Sequence, residues 1–242
     1  MEYVIILGAA SDIGKAIARK YATQYNLYLF ARKTSQIDSL AMDLIKDYNI
    51  DVQCFSLDIN DLSSQKDIYS KLPHPPQGII LTVGYLGDQN LSQESHLEFE
   101  KIALTNYVSP SIFLNMVAND FEKRNQGFII IFSSVAGDRG RKSNYAYGSA
   151  KSGLSALASG LRNRLYNSNT YVLTVKPGYV NSKMTQHLNL PKLLSSSTHE
   201  VADLVFKAHQ KKKDVIYIKF RWSIIMSIIK LIPESLFKRL NF

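Results

Sequence analysis

Residues 3–25 read YVIILGAASDIGKAIARKYATQY, and the two halves of this stretch follow different periods. YVIILG (3–8) is an unbroken apolar run rich in β-branched residues, which predicts a strand covered on both faces. IGKAIARKYATQY (13–25) sets Ile13, Ile17 and Tyr21 on one face of a helix. The join between them places Gly8 at the strand end and Gly14 in the first helical turn. Small residues there let a diphosphate approach the backbone, where unpaired N–H groups and the positive end of the helix dipole meet it. The join is not G-x-G-x-x-G. Nor is it a P-loop, because Ala9 and Ala16 stand where that pattern needs Gly and Ser or Thr. Asp12 would repel a diphosphate. Either it or Ser11 caps the helix, and the sequence leaves both open.

Outward from this unit the alternation repeats. Apolar strands are predicted at 27–31, 52–57, 78–83, 127–133, 171–176 and 215–219. Helical periods fill 35–48, 62–71, 95–122 with a kink at Pro110, 145–166, and 199–211, where Ser197 and Glu200 stand at capping-box spacing. Seven apolar strands separated by helices predict an α/β, doubly wound (Rossmann) parallel sheet with helices on both faces. The ligand of such a sheet sits beyond the carboxyl ends of its strands. Residues 1–219 are read as a dinucleotide-binding and catalytic domain, and 220–242 as a C-terminal helical extension.

The 242 residues are 45% hydrophobic and 20% charged, as expected of a globular chain with a substantial core. The lone cysteine, Cys54, excludes an internal disulfide and suits a reducing compartment. No secretory signal opens the chain, and no apolar run approaches the roughly 20 residues of a membrane span. The expected location is therefore cytoplasmic, with peripheral contact at the inner face of the plasma membrane left open. A net charge of +9, partly gathered late at Lys211–Lys213, Lys219, Arg221, Lys230, Lys238 and Arg239, favours anionic partners. Zinc-finger spacing and interleaved basic–aromatic motifs are lacking, so no nucleic-acid partner is expected. His74, His96, His187, His199 and His209 have no metal-binding spacing, and no metal is expected.

Chemistry enters at YAYGSAK (145–151). Tyr147 and Lys151 are four apart and share a helical face. An ammonium beside a phenol should lower the phenol's pKa and fit it to exchange a proton with an alcohol or carbonyl oxygen. Tyr145 has Ser149 at that offset and lacks the amine. Ser133 and Ser134 end the fifth strand, where a hydroxyl would hold a carbonyl beside Tyr147. At the end of the second strand Arg32 and Lys33 suit a ribose 2′-phosphate, favouring NADP(H) over NAD(H). Asp58, followed by Ile59, would meet the adenine. Arg139, Arg141 and Lys142 lie on the expected rim, placed to meet a substrate phosphate.

Taken in order, these segments resemble the short-chain dehydrogenase/reductase family over residues 1 to about 219. The family's T-G-x-x-x-G-x-G falls on Leu7–Gly14, with Leu7 and Asp12 in place of threonine and glycine. Its N-N-A-G is LTVG, which keeps only Gly84 and so should lose stabilisation at the fourth strand. Its helix-borne asparagine is Asn106, its serine Ser134, its Y-x-x-x-K Tyr147 to Lys151, and its P-G loop begins at Pro177 and Gly178. The resemblance implies catalysis by Asn106, Ser134, Tyr147 and Lys151. It implies cofactor contacts from Gly8, Ser11, Asp12, Ile13, Gly14, Arg32, Lys33, Asp58, Ile59, Gly84, Tyr147, Lys151, Pro177, Gly178, Val180 and Ser182. Asn106 would support a proton relay through water, and Val180 and Ser182 would hold the nicotinamide carboxamide. VGYLGD (83–88), residues 133–154, KPGYVNSKM (176–184) and LIPESLFKRL (231–240) look like the branch of the family that reduces decaprenylphosphoryl-2-keto-pentose. That implies a ketoreductase acting on a polyprenyl-phosphate-linked sugar in cell-envelope precursor synthesis, homo-oligomeric, with an oxidase partner supplying the keto sugar. The alternatives are a 3-oxoacyl or other small-carbonyl reductase, and a non-catalytic cofactor-binding subunit of a membrane-associated complex.

The last segment, RWSIIMSIIKLIPESLFKRLNF (221–242), is expected as a helix with one narrow polar stripe of Ser223, Ser227 and Lys230. Its apolar remainder needs a partner: the bilayer interface, with Trp222 near the headgroups, a second subunit, or the substrate as a lid.

Overall fold

Tyr3–Leu7 and Gly127–Phe132 are buried at every position, and strands of that kind are stable only between two covering layers. The computed structural model describes residues 1–186 and 191–240, and seven strands form its main sheet. They are β1 (Tyr3–Leu7), β2 (Asn26–Ala31), β3 (Val52–Ser56), β4 (Pro76–Leu81), β5 (Gly127–Phe132), β6 (Thr170–Lys176) and β7 (Val215–Tyr217). All six pairings are parallel, in the order 3-2-1-4-5-6-7. The chain reverses its winding between β1 and β4, so a crevice opens beyond their carboxyl ends.

Strand alternation sorts the core. Val4, Ile6, Leu27 and Leu29 face one layer, with Ile17 of α1 (Asp12–Tyr21), Leu40 and Leu44 of α2 (Asp38–Tyr48), and Val201 and Val205 of a later helix, Thr198–Gln210. Tyr3, Ile5 and Leu7 face the other, with Phe113 and Leu114 from Ser109–Arg124 and Leu154 and Leu161 from Tyr145–Arg164. The expected Ser197 cap is present: Glu200 N donates to Ser197 Oγ at 3.1 Å. His187 and residues 241–242 lie outside the described residues.

Two expectations change. The helix predicted over 95–122 is divided into His96–Ala103, a wide π turn at Leu104–Val108, and Ser109–Arg124. Pro110 does not make the break. It sits in the first turn of its own helix, where its missing N–H is not needed. The tail is also not one helix. Phe220–Leu231 stops before Pro233, and Glu234–Phe237 adds one short turn. Trp222, Met226, Ile229 and Phe237 pack with Val135 on the body, so Trp222 is buried rather than presented to headgroups.

Candidate active site

The β1–α1 turn settles the capping question. Ser11 Oγ accepts from Gly14 N at 2.9 Å and donates to Gly8 O at 2.9 Å. Asp12 turns away, and its carboxylate accepts from Lys183 N at 2.7 Å, tying the loop after β6 to the start of α1. Gly8 has φ of +97°, and a Cβ on Gly14 would lie 2.3 Å from Gly8 O, so both glycines are required by geometry.

The loss of the family asparagines at LTVG is compensated. Thr82 Oγ1 donates to Leu7 O and Gly8 O, each at 3.1 Å, and so joins the ends of β1 and β4. The role of this threonine depends on strand register, which no local motif encodes.

Two cavities open at the carboxyl edge, and both touch Thr82, Val83 and Gly84. One, of about 260 Å³, is lined by Gly8, Ser11, Arg32, Asp58 and Ile59. The other, of about 160 Å³, is lined by Ile13, Ser134, Tyr147, Lys151, Pro177, Gly178, Val180 and Ser182. Asp12, Gly14, Lys33 and Asn106 are not on these walls. Lys33 is exposed beside the first cavity. Asn106 is fully buried behind Gly84: its amide donates to Tyr85 O (2.7 Å) and Ile102 O (2.8 Å) and accepts from Tyr85 N (3.1 Å). The π turn that carries it is a device found often at functional sites.

Both serines line the cavity, but Ser133 Oγ is committed to Lys151 O at 2.9 Å, whereas the Ser134 side chain bonds Tyr147. Of the two tyrosines, Tyr145 is exposed and Tyr147 lines the cavity. A Cβ on Gly137 would lie 2.7 Å from the Lys151 carbonyl carbon, and one on Gly148 would lie 2.9 Å from Ala136 O. The turn after Ser134 therefore seats flush on the Tyr147 helix and fixes the distance between the two hydroxyls.

The electrostatics depart from the expectation that Lys151 lowers the Tyr147 pKa. Burial pushes the phenol up to about 12, partly offset by the Ser134 hydroxyl. Burial also pulls Lys151 down to about 8, and its Nζ donates to Phe132 O at 3.1 Å. Nζ lies 5.7 Å from the Tyr147 ring centre. Desolvation of both groups dominates over their mutual attraction.

Trp222, Tyr179, Met184, Arg141 and Asn144 also line the second cavity. Trp222 stacks so closely on the P-G loop that a Cβ on Gly178 would lie 2.0 Å from its ring. Arg139, expected at a substrate phosphate, instead secures the tail: it donates to Ile232 O at 2.9 Å and pairs with Glu234 at 2.6 Å. Among the described residues there is no cluster of three or more metal-ligating side chains, and no helix is long and apolar enough to cross a membrane.

Comparison with known proteins matches residues 2–192 to the short chain dehydrogenase family model. An uncharacterized oxidoreductase of Mycobacterium tuberculosis is 32% identical over 240 residues, covering 98% of this chain and 96% of the relative. Among solved structures, a short-chain dehydrogenase from Sphingobium yanoikuyae in complex with NADPH superposes with a TM-score of 0.83 at 21% identity, covering 97% of this chain and 98% of that one. A bulky-bulky ketone specific alcohol dehydrogenase from Comamonas testosteroni gives 0.82 at 21% identity, covering 97% and 96%.

Proposed function

The chain belongs to the short-chain dehydrogenase family, and from that membership we propose that it is an NADP(H)-dependent ketoreductase. The observation that carries this reading is the convergence of Ser134, Tyr147 and Lys151 on one cavity that meets a second, glycine-floored cavity at Thr82–Gly84. The residues fit a dinucleotide. The first cavity offers Gly8, Ser11 and the α1 N-terminus to a diphosphate, Asp58 and Ile59 to an adenine, and Arg32 to a 2′-phosphate, with Lys33 exposed at its edge. The second offers Val180, Ser182 and Lys151 to the nicotinamide half.

When bound, the nicotinamide supplies the hydride for a carbonyl carbon. The protein's own groups manage the oxygen. Ser134 donates a hydrogen bond that fixes the carbonyl, and Tyr147 gives its phenolic proton as negative charge develops. A phenol held near 12 is protonated throughout the neutral range, which suits an acid in reduction. Lys151 supplies positive charge beneath it and reaches for the ribose. Asn106 acts as a positioning residue. Both of its amide protons go to backbone carbonyls and its Oδ1 accepts from Tyr85 N, so its side chain holds the Tyr85 backbone against the π turn.

For the substrate we favour a polyprenyl-phosphate-linked 2-keto pentose. The support is the likeness of four segments noted above and the apolar, basic helix that walls the cavity with Trp222. That helix also leaves Phe220, Ile224, Ile228 and Leu231 exposed, and we assign this stripe to a lipid surface. An oxidase acting on the hydroxyl sugar is then the preceding reaction, and homo-oligomerisation fits the family. A small-carbonyl reductase is the second reading, favoured by the largely apolar lining of the cavity. Tyr147→Phe should lower carbonyl reduction by about 10²-fold or more while NADPH affinity changes little. Retained turnover would defeat the assignment, and a carbonyl panel read by NADPH oxidation separates lipid-linked from small substrates.

A further inference from the structure

The second cavity contains two polar atoms that the proposed chemistry does not use. Arg141 Nε and Asn144 Oδ1 are both shielded from solvent, and neither has a hydrogen-bond partner among the described residues. Both residues line the cavity that holds Tyr147. Such a donor and acceptor, desolvated without a bond, are destabilising to the fold and favour a ligand group that can satisfy them. They are three residues apart on a loop closed by Asn144 N donating to Arg141 O at 3.1 Å, so they are held as one unit.

Among the lining residues the charged ones are Arg141 and Lys151, and no Asp or Glu is present. Asp138, an acid whose charge favours the Arg141 cation, is already engaged by Lys176 and by the Tyr217 hydroxyl. Burial pulls the Arg141 pKa below its ordinary value, and the charges of Tyr179 and Asp138 offset this only in part. Its neighbours differ: Arg139 is committed to the tail, and Lys142 is exposed.

We infer that Arg141 and Asn144 form a specificity subsite for a carbonyl substrate that bears a phosphoryl group and a nearby hydroxyl. Arg141 donates to the phosphoryl oxygens and Asn144 accepts from the hydroxyl. The subsite rests on the ketoreductase reading for its place in turnover, and on geometry alone for its anion. The phosphoryl group belongs either to a soluble phosphoketose or to a lipid-linked sugar.

Trp222 is the chain's single tryptophan and walls the same cavity, so its fluorescence reports binding there directly. Inorganic phosphate and farnesyl phosphate are titrated into the protein with and without NADP⁺. The expected result is a saturable change in Trp222 emission, with phosphate affinity at least tenfold weaker in Arg141→Met and partly restored in Arg141→Lys. Tighter binding of farnesyl phosphate than of inorganic phosphate places the anion on a lipid, and equal binding places it on a soluble ketose. In turnover, the kcat/KM ratio of ribulose 5-phosphate to ribulose should fall at least tenfold in Arg141→Met and in Asn144→Ala, each checked for folding by its melting curve. No saturable signal in the wild type, or equal phosphate affinity in Arg141→Met, overturns the subsite. Phosphate binding that depends on Arg141 without reduction of any carbonyl would leave the subsite standing and sink the ketoreductase reading instead.

Discussion

Lys151 enters the cavity from the Tyr145–Arg164 helix almost wholly shielded from water, with one carbonyl as its Nζ partner. Its folded pKa is about 8, against about 10.5 for an unfolded lysine. The folded state thus disfavours the charge. Below about pH 8 both states carry the proton and the penalty is complete; between about 8 and 10.5 the unfolded chain binds more protons, so native stability rises with pH. Lys151→Met should therefore stabilise the fold by roughly 1–3 kcal/mol at pH 7, since an apolar chain of similar length replaces a poorly paired buried charge. Thermal melts across pH should show the gain shrinking above pH 8. An unchanged or lower melting temperature at pH 7 would mean that the ammonium is better compensated than its contacts indicate. The motif spacing alone pointed to an electrostatic pair but misjudged its sign. Sequence gives the offset of four residues, whereas depth of burial, which sets the pKa values, is a property of the assembled layers.

At the scale of elements, what could be read in advance was whatever has a local period. Every main-sheet strand was placed to within two residues at either end, because apolar runs between turn residues mark them unambiguously. The division of 95–122 was hidden, since a π turn keeps helical composition and only shifts bonding by one residue. Thr82 and Trp222 were also out of reach, because each acts across a long sequence separation: Thr82 on β1, and Trp222 on Gly178, with its indole donating to Leu194 O at 2.9 Å. In Gly178→Ala the added methyl cannot coexist with the indole, and a clash in a packed site costs about 1–3 kcal/mol. The tail helix should lift: Trp222 emission shifts to the red and cleavage by trypsin after Arg221 quickens. Unaltered emission would show that the P-G loop yields instead of the tail.

Across the whole molecule the positive charge and the apolar tail meet. Phe220, Ile224, Ile228 and Leu231 recur at helical spacing along Phe220–Leu231 and are 77%, 48%, 59% and 83% exposed, while Trp222, Met226 and Ile229 on the other face are buried. Arg221 and Lys230 flank the stripe, and Lys238 and Arg239 follow on the same segment. An apolar ridge bordered by cations matches an anionic bilayer: aliphatic tips enter the acyl boundary, and each basic residue near the surface adds about 1 kcal/mol. A second copy of this chain would bring the same cations against themselves, which disfavours self-association through this face. Sedimentation with phosphatidylglycerol vesicles should carry the protein down, and phosphatidylcholine vesicles should carry much less. Ile228→Asp should weaken the first by tenfold or more, because it places a carboxylate on the lipid face while touching none of the buried contacts. Reduction of a soluble carbonyl should be unaffected by this change. Equal sedimentation with both lipids, or a dimer that dissociates in Ile228→Asp without any vesicle binding, would reassign the stripe from lipid to a protein partner.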